Sequence, residues 1–145
     1  MRILLDTSIL SRLSNRRDPE RPGVAAALQA LTDQSHELCL VPQVLYEYWA
    51  VATRPADVNG LNLSTVQVRQ EVEDFQAAFA LIPDSEGIFE RWLGLVTTHQ
   101  VAGRPTHDAR LAAAMLVHGL DALLTRNAPD FKRFGITVLH PSEIS

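Results

Sequence analysis

Asp6 follows the apolar run Ile3-Leu4-Leu5 and is followed at once by Thr7-Ser8. A strand that ends on a carboxylate and turns into hydroxyls presents polar groups to the crevice at its carboxyl end. Asp108 stands far along the chain, in the first turn of a helical run, where the helix dipole favours its ionised form. Glu47 lies between Leu45-Tyr46 and Tyr48-Trp49, with Val44 and Val51 on its face of a helix. Burying a lone carboxylate is expensive, so Glu47 needs water at a helix edge, an arginine such as Arg54, or another cation. Asp108 alone reads as an ordinary helix-start acid. Together, three acids on three separate elements point to a metal site. Carboxylate oxygens without Cys or paired His ligands select Mg2+ or Mn2+ over Zn2+. Such ions serve phosphoryl chemistry by activating water and neutralising charge on the leaving oxygen, and no side chain need be the nucleophile.

The elements that must position these acids alternate between strand and helix. Residues 2–5 read as a buried strand, and Thr7 or Ser8 can cap a short helix to about Ser14. Asn15–Gly23 reads as a polar, mobile loop, and Val24–Leu31 as a helix. Leu38–Val41 is a second apolar run, and Pro42 suits the first turn of a helix reaching about Thr53. Ser64 and Gln67 make a capping-box pattern before Val68, Val72, Phe75 and Phe79, which share one helical face. A brief strand at Leu81-Ile82 precedes another amphipathic helix through Ile88, Trp92 and Val96. After a loop at Val101–Pro105, Thr106 caps a helical run, Ala109–His118, that Gly119 stops. Ala122–Leu124 and Ile136–Leu139 read as the last strands, separated by the polar turn Thr125–Pro129. The alternation predicts an α/β fold, a mostly parallel sheet with helices on both faces. The 145 residues suit one domain, 1–145, with a single core.

No apolar stretch approaches the roughly 20 residues that span a bilayer, so no membrane partner is expected. The N-terminus lacks secretory-signal features, and the single Cys39 has no disulfide partner; both suit the reducing cytoplasm. Net charge is −4, which by itself does not announce a nucleic-acid ligand. Seven acids against Arg69 alone crowd residues 57–90, while the flanking segments are near balance. Twelve of the thirteen basic residues are arginine, whose planar fork suits phosphate oxygens; a GC-rich genome would give the same bias.

Four motifs occur in order. They are Leu4-Leu5-Asp6-Thr7-Ser8, Glu47 in a helix after Val41-Pro42, His107-Asp108-Ala109-Arg110-Leu111, and Leu124-Thr125-Arg126-Asn127 with Asp130-Phe131. In this the chain resembles PIN-domain ribonucleases, and among them the VapC-type toxins of bacterial toxin–antitoxin pairs. The resemblance spans nearly the whole chain. It implies a three-layer α/β/α sandwich and a Mg2+- or Mn2+-dependent endoribonuclease acting on RNA. It maps the metal-binding acids to Asp6, Glu47 and Asp108, and the supporting hydroxyls to Thr7, Ser8 and Thr125. It also implies a small cognate antitoxin that inserts a segment into the acidic site, and a homodimer; the amphipathic helices at 64–79 and 85–98 are candidates for that interface, with core packing as their default explanation. The family often carries an aspartate where this chain has Asn127. Asn127 can still offer a carbonyl oxygen, and Asp130 either supplies the missing carboxylate or caps a helix start. One tightly held ion is the expectation.

Arg16, Arg17, Arg104 and Arg126 are the candidates for RNA phosphate contacts, with solvated surface charge as the alternative for each. His107 is not expected to share the site with Asp108, because successive helical residues point about 100° apart. Two rivals stand beside the nuclease. One is a degenerate PIN module that binds RNA or protein without cutting, motivated by Asn127. The other is a phosphotransfer enzyme with Asp6 as nucleophile, disfavoured because Ser8 stands where such enzymes place a second aspartate.

Overall fold

The computed structural model describes all residues, 1–145. Five strands form one sheet: β1 (Arg2–Leu5), β2 (Glu37–Leu40), β3 (Ala80–Leu81), β4 (Ala122–Leu124) and β5 (Val138–Leu139). Their order is β3-β2-β1-β4-β5, and every pairing is parallel. The helices are α1 (Thr7–Ser14), α2 (Arg21–Asp33), α3 (Pro42–Thr53), α4 (Thr65–Ala78), α5 (Ile88–Thr98) and α6 (Pro105–His118). Crossovers from β1 to β2 to β3 travel one way across the sheet, and those from β3 to β4 to β5 travel back. Right-handed crossovers running in opposite directions put their helices on opposite faces, which gives the three-layer α/β/α arrangement.

The reversal of direction falls between β1 and β4. Chains leaving these two neighbours turn to opposite faces and open a crevice beyond their carboxyl ends. The register pairs Leu5 with Leu124, so Asp6 and Thr125 emerge side by side at that crevice. Asp6 continues the ladder, its N–H donating to the Leu124 carbonyl at 3.0 Å. The strands feeding this point are fully buried: Ile3, Leu4, Leu5, Ala122, Leu123 and Leu124 all have 0% exposure. Strands covered on both faces are expected to read as continuous apolar runs, as these do. Tyr48 from α3 packs edge-on against Phe75 of α4, with ring centroids 5.1 Å apart, and fixes the helix that carries Glu47.

Several boundaries differ from the sequence expectation. The acceptor that caps α1 is Asp6, which takes the Thr7 N–H at 2.8 Å; neither Thr7 nor Ser8 is the cap. Helix α2 begins at Arg21, not Val24, because Pro22 is tolerated in a first turn. The preceding loop, Asn15–Glu20, is tied down by an Arg12–Asp18 ion pair of 2.9 Å. Helix α6 likewise begins at Pro105, so Thr106 is inside it and its hydroxyl donates back to the Gly103 carbonyl at 2.8 Å. The last strand shortens to Val138–Leu139 and the third shifts to Ala80–Leu81. The Ser64–Gln67 capping box forms in both directions. Gly119 ends α6 at φ 66, a conformation that disfavours residues with a Cβ. Cys39 is a buried core residue.

Candidate active site

Apart from Tyr48 and Cys39, three polar residues are buried: Asp6, Gln43 and Thr125. Buried polar groups need hydrogen-bond partners, and each of these has them. The Asp6 carboxylate accepts from the Thr125 hydroxyl at 2.6 Å and the Ser8 hydroxyl at 3.0 Å on Oδ2, and from the Thr7 N–H on Oδ1. Thr125 is itself oriented, because its oxygen accepts the Asn127 N–H at 3.0 Å. Its one proton is therefore directed at Asp6. The two strand ends at the switch point are thus joined through a carboxylate–hydroxyl pair.

Glu47 reaches the same crevice from α3. Its Oε1 accepts from the Thr7 hydroxyl at 3.2 Å and stands 3.5 Å from Gln43 Nε2. Arg54 is not its partner. Gln43, which the sequence reading passed over, joins α3 to α6. Its Nε2 donates to the His107 carbonyl at 2.8 Å, and its Oε1 accepts from Arg110 Nη1 at 2.8 Å. The signal was available: a polar residue one turn before Glu47 on an otherwise apolar helix.

Asp108 arrives from the first turn of α6, and Asp130 from the short turn Ala128–Asp130 beyond β4. Asp6, Glu47, Asp108 and Asp130 line one cavity of ≈ 240 Å³, together with Thr7, Ser8 and Asn127. It opens onto a larger cavity of ≈ 710 Å³ that shares Glu47, Asp108, Asn127 and Asp130 and has no hydrophobic lining residue. Asp130 therefore joins the acids. His107 lines the outer cavity but not the inner one that gathers the four acids.

None of the four carboxylates is in an ion pair. Burial pushes the Asp6 carboxyl above its ordinary value, against the hydrogen bonds that lower it. Glu47 is also raised, first by burial and then by the charge of Asp6. Asp108 is pushed up to about 6, by burial and then by Asp130, Asp6 and Glu47 in turn, with His107 opposing. Carboxylates raised by burial and held in no ion pair, two of them raised further by neighbouring acids, are a donor set that a hard divalent ion would relieve. No three acid or histidine side chains converge as a ready-made metal cage. The fit thus lies in charge and donor type, with side chains contributed by four elements.

The proposed basic contacts separate. Arg104 lines the outer cavity. Arg16 and Arg17 do not; they line another cavity, with Gln67, Gln70 and Glu71 of α4. Arg126 is held by Glu20, although its backbone N–H touches the site through Ser8 at 3.2 Å. Lys132 and Arg133, not singled out from sequence, line the outer cavity beside Arg104. Trp92 lies partly buried on α5 and donates its ring N–H to the Thr106 carbonyl, while Trp49 is 38% exposed.

A parallel sheet with acids gathered at its switch point defines an α/β site placed where such folds bind their ligands. The model of the PIN domain matches residues 3–136. Ribonuclease VapC24 of Mycobacterium tuberculosis is 30% identical over 135 residues, covering 92% of this chain and 91% of that protein. The chain belongs to the PIN-domain family. Among solved structures, VapBC2 from Rickettsia felis, bound to a promoter DNA fragment, shares the fold. Its TM-score is 0.75 at 17% identity, covering 97% of this chain and 98% of that one. A toxin–antitoxin complex from Klebsiella pneumoniae is 25% identical, with a TM-score of 0.65 over 96% of this chain and 97% of that one.

Proposed function

We propose that this chain is a Mg2+- or Mn2+-dependent endoribonuclease of the VapC type, the toxin of a toxin–antitoxin pair, acting in the cytoplasm. The observation that carries the reading is the set of four unpaired carboxylates from four elements around one cavity. Ribonuclease VapC24, matched along nearly the whole chain, supports the same activity. Asp6, Glu47 and Asp108 would hold the ion, with Asp130 and Asn127 at the cavity edge. A divalent ion there would supply a Lewis acid that makes water nucleophilic and neutralises charge on the leaving oxygen. Thr125, Ser8 and the Thr7 N–H keep Asp6 in one orientation. Thr7 and Gln43 do the same for Glu47.

The partner follows from the same reading: a small antitoxin whose segment enters the acidic cavity. A homodimer is also part of it, and the exposed Phe89 and Leu93 on α5, at 67% and 48%, are its candidate contacts. Purified protein incubated with varied RNAs and Mn2+ tests the activity. Cleavage that stops in EDTA and in Asp6→Asn and Asp108→Asn proteins is expected. Equal cleavage by the two variants, or cleavage surviving EDTA, would refute it.

A further inference from the structure

The outer cavity is lined by both acids and bases. Glu47, Asp108 and Asp130 supply acid, and Arg104, Lys132 and Arg133 supply base. The three bases come from two places in the chain. Arg104 precedes α6 directly after Gly103 at φ 73, and Lys132 and Arg133 lie on the turn Lys132–Phe134 that Gly135 closes at φ 72. Lys132 is the only lysine in the chain. All three are exposed, and none takes part in an ion pair, although acids share the cavity. The Arg133 guanidinium lies 5.2 Å from the ring centroid of the buried Phe134, which gives that side chain a fixed platform.

We propose that Arg104, Lys132 and Arg133 form a clamp for the RNA backbone phosphates that flank the scissile bond. The proposal rests on the ribonuclease reading and adds where the strand is held. A chain of net charge −4 whose cavity holds four carboxylates repels a polyanion. Local cations must offset that repulsion, and these three are the bases that line the cavity. Two arginine forks and one ammonium suit phosphate oxygens, with the arginines fixing orientation and the lysine adding charge. The scissile phosphate then faces the acids while its neighbours lie against the bases. Asn127 lines both cavities, and its neutral amide adds no further repulsion along that path.

The test is binding of a labelled single-stranded RNA in EDTA, followed by anisotropy across a salt series, with the full chain. Each phosphate contact on a single strand contributes about 0.7 to the slope of log K against log salt, so three contribute about 2. The triple variant Arg104→Ala/Lys132→Ala/Arg133→Ala is expected to lose about 2 from that slope and to bind at least tenfold more weakly near 0.1 M salt. Lys132→Arg is expected to keep the wild-type slope, and Arg16→Ala/Arg17→Ala to change it by less than 0.7. An unchanged slope in the triple variant, or an equal loss in the Arg16/Arg17 variant, would overturn the clamp. Cleavage of the same RNA in Mn2+ is read separately. A wild-type protein that binds but never cuts overturns the nuclease reading and leaves the clamp result readable.

Discussion

Replacing Asp108 by Asn should make the metal-free protein more stable near neutral pH while abolishing the proposed metal-dependent RNA cleavage. The Asp108 carboxyl is raised from 3.8 to about 6 by burial and by the neighbouring Asp130, Asp6 and Glu47. A group whose folded value is raised contributes stability that is fully present below its unfolded value. That contribution is lost as pH rises through the folded value, here between about 4 and 6. A shift of about 2 units is worth roughly 3 kcal/mol at most. Asp108 is only half-buried, so solvent screening reduces this to about 1–2 kcal/mol. The asparagine avoids the ionisation cost. In EDTA at pH 7.5 its Tm should rise by roughly 3–7 °C in a thermal melt, for a chain of this size. The gain should shrink steadily as pH falls toward 4.5. Mn2+ at ten times its Kd should stabilise the wild type by about 1.4 kcal/mol and the variant much less. An asparagine variant less stable than wild type at pH 7.5 in EDTA would refute the reasoning. So would a gain that is the same at pH 4.5.

Thr125→Val removes the 2.6 Å bond to Asp6 at a site with no exposure, and should cost about 1–3 kcal/mol in urea unfolding at pH 7.5. The Asp6 carboxyl should rise further in the same variant, so the loss should be smaller below pH 4, as acid-range unfolding would check. Gln43→Leu removes the bond to the His107 carbonyl and leaves the Arg110 guanidinium with Asp84 alone. It should lower RNA cleavage by loosening Glu47, with kcat falling more than KM rises, and cost about 1–2 kcal/mol of stability. Phe89→Asp should shift a dimer toward monomer in light scattering without changing the melting profile of the monomer, because Phe89 is 67% exposed.

The strands are legible in the sequence because they are short apolar runs broken by turn residues, whereas their order β3-β2-β1-β4-β5, and so the switch point, is not. Asp6 and Thr125 could be placed at strand ends for the same reason. Helix starts were less legible. Pro22 and Pro105 read as loop residues, yet proline fits a first helical turn, so α2 and α6 begin earlier than expected. Long-range pairing was not legible at all. Nothing near Arg126 in sequence reveals that Glu20 holds it, since that contact depends on how the loop after α1 folds back. The same limit hid Lys132 and Arg133, whose place beside Arg104 is set by the turn after β4. Asp130 was ambiguous between cap and ligand, and the structure puts it among the acids because that turn faces the crevice.

The central claim is that Asp6, Glu47 and Asp108 hold one divalent ion. Mn2+ titration followed by electron paramagnetic resonance measures this without RNA. The account predicts one bound Mn2+ per chain at millimolar or lower concentration in the wild type, and none in the Asp6→Asn protein. Equal Mn2+ binding by the two, or no binding by the wild type at millimolar Mn2+, would contradict it.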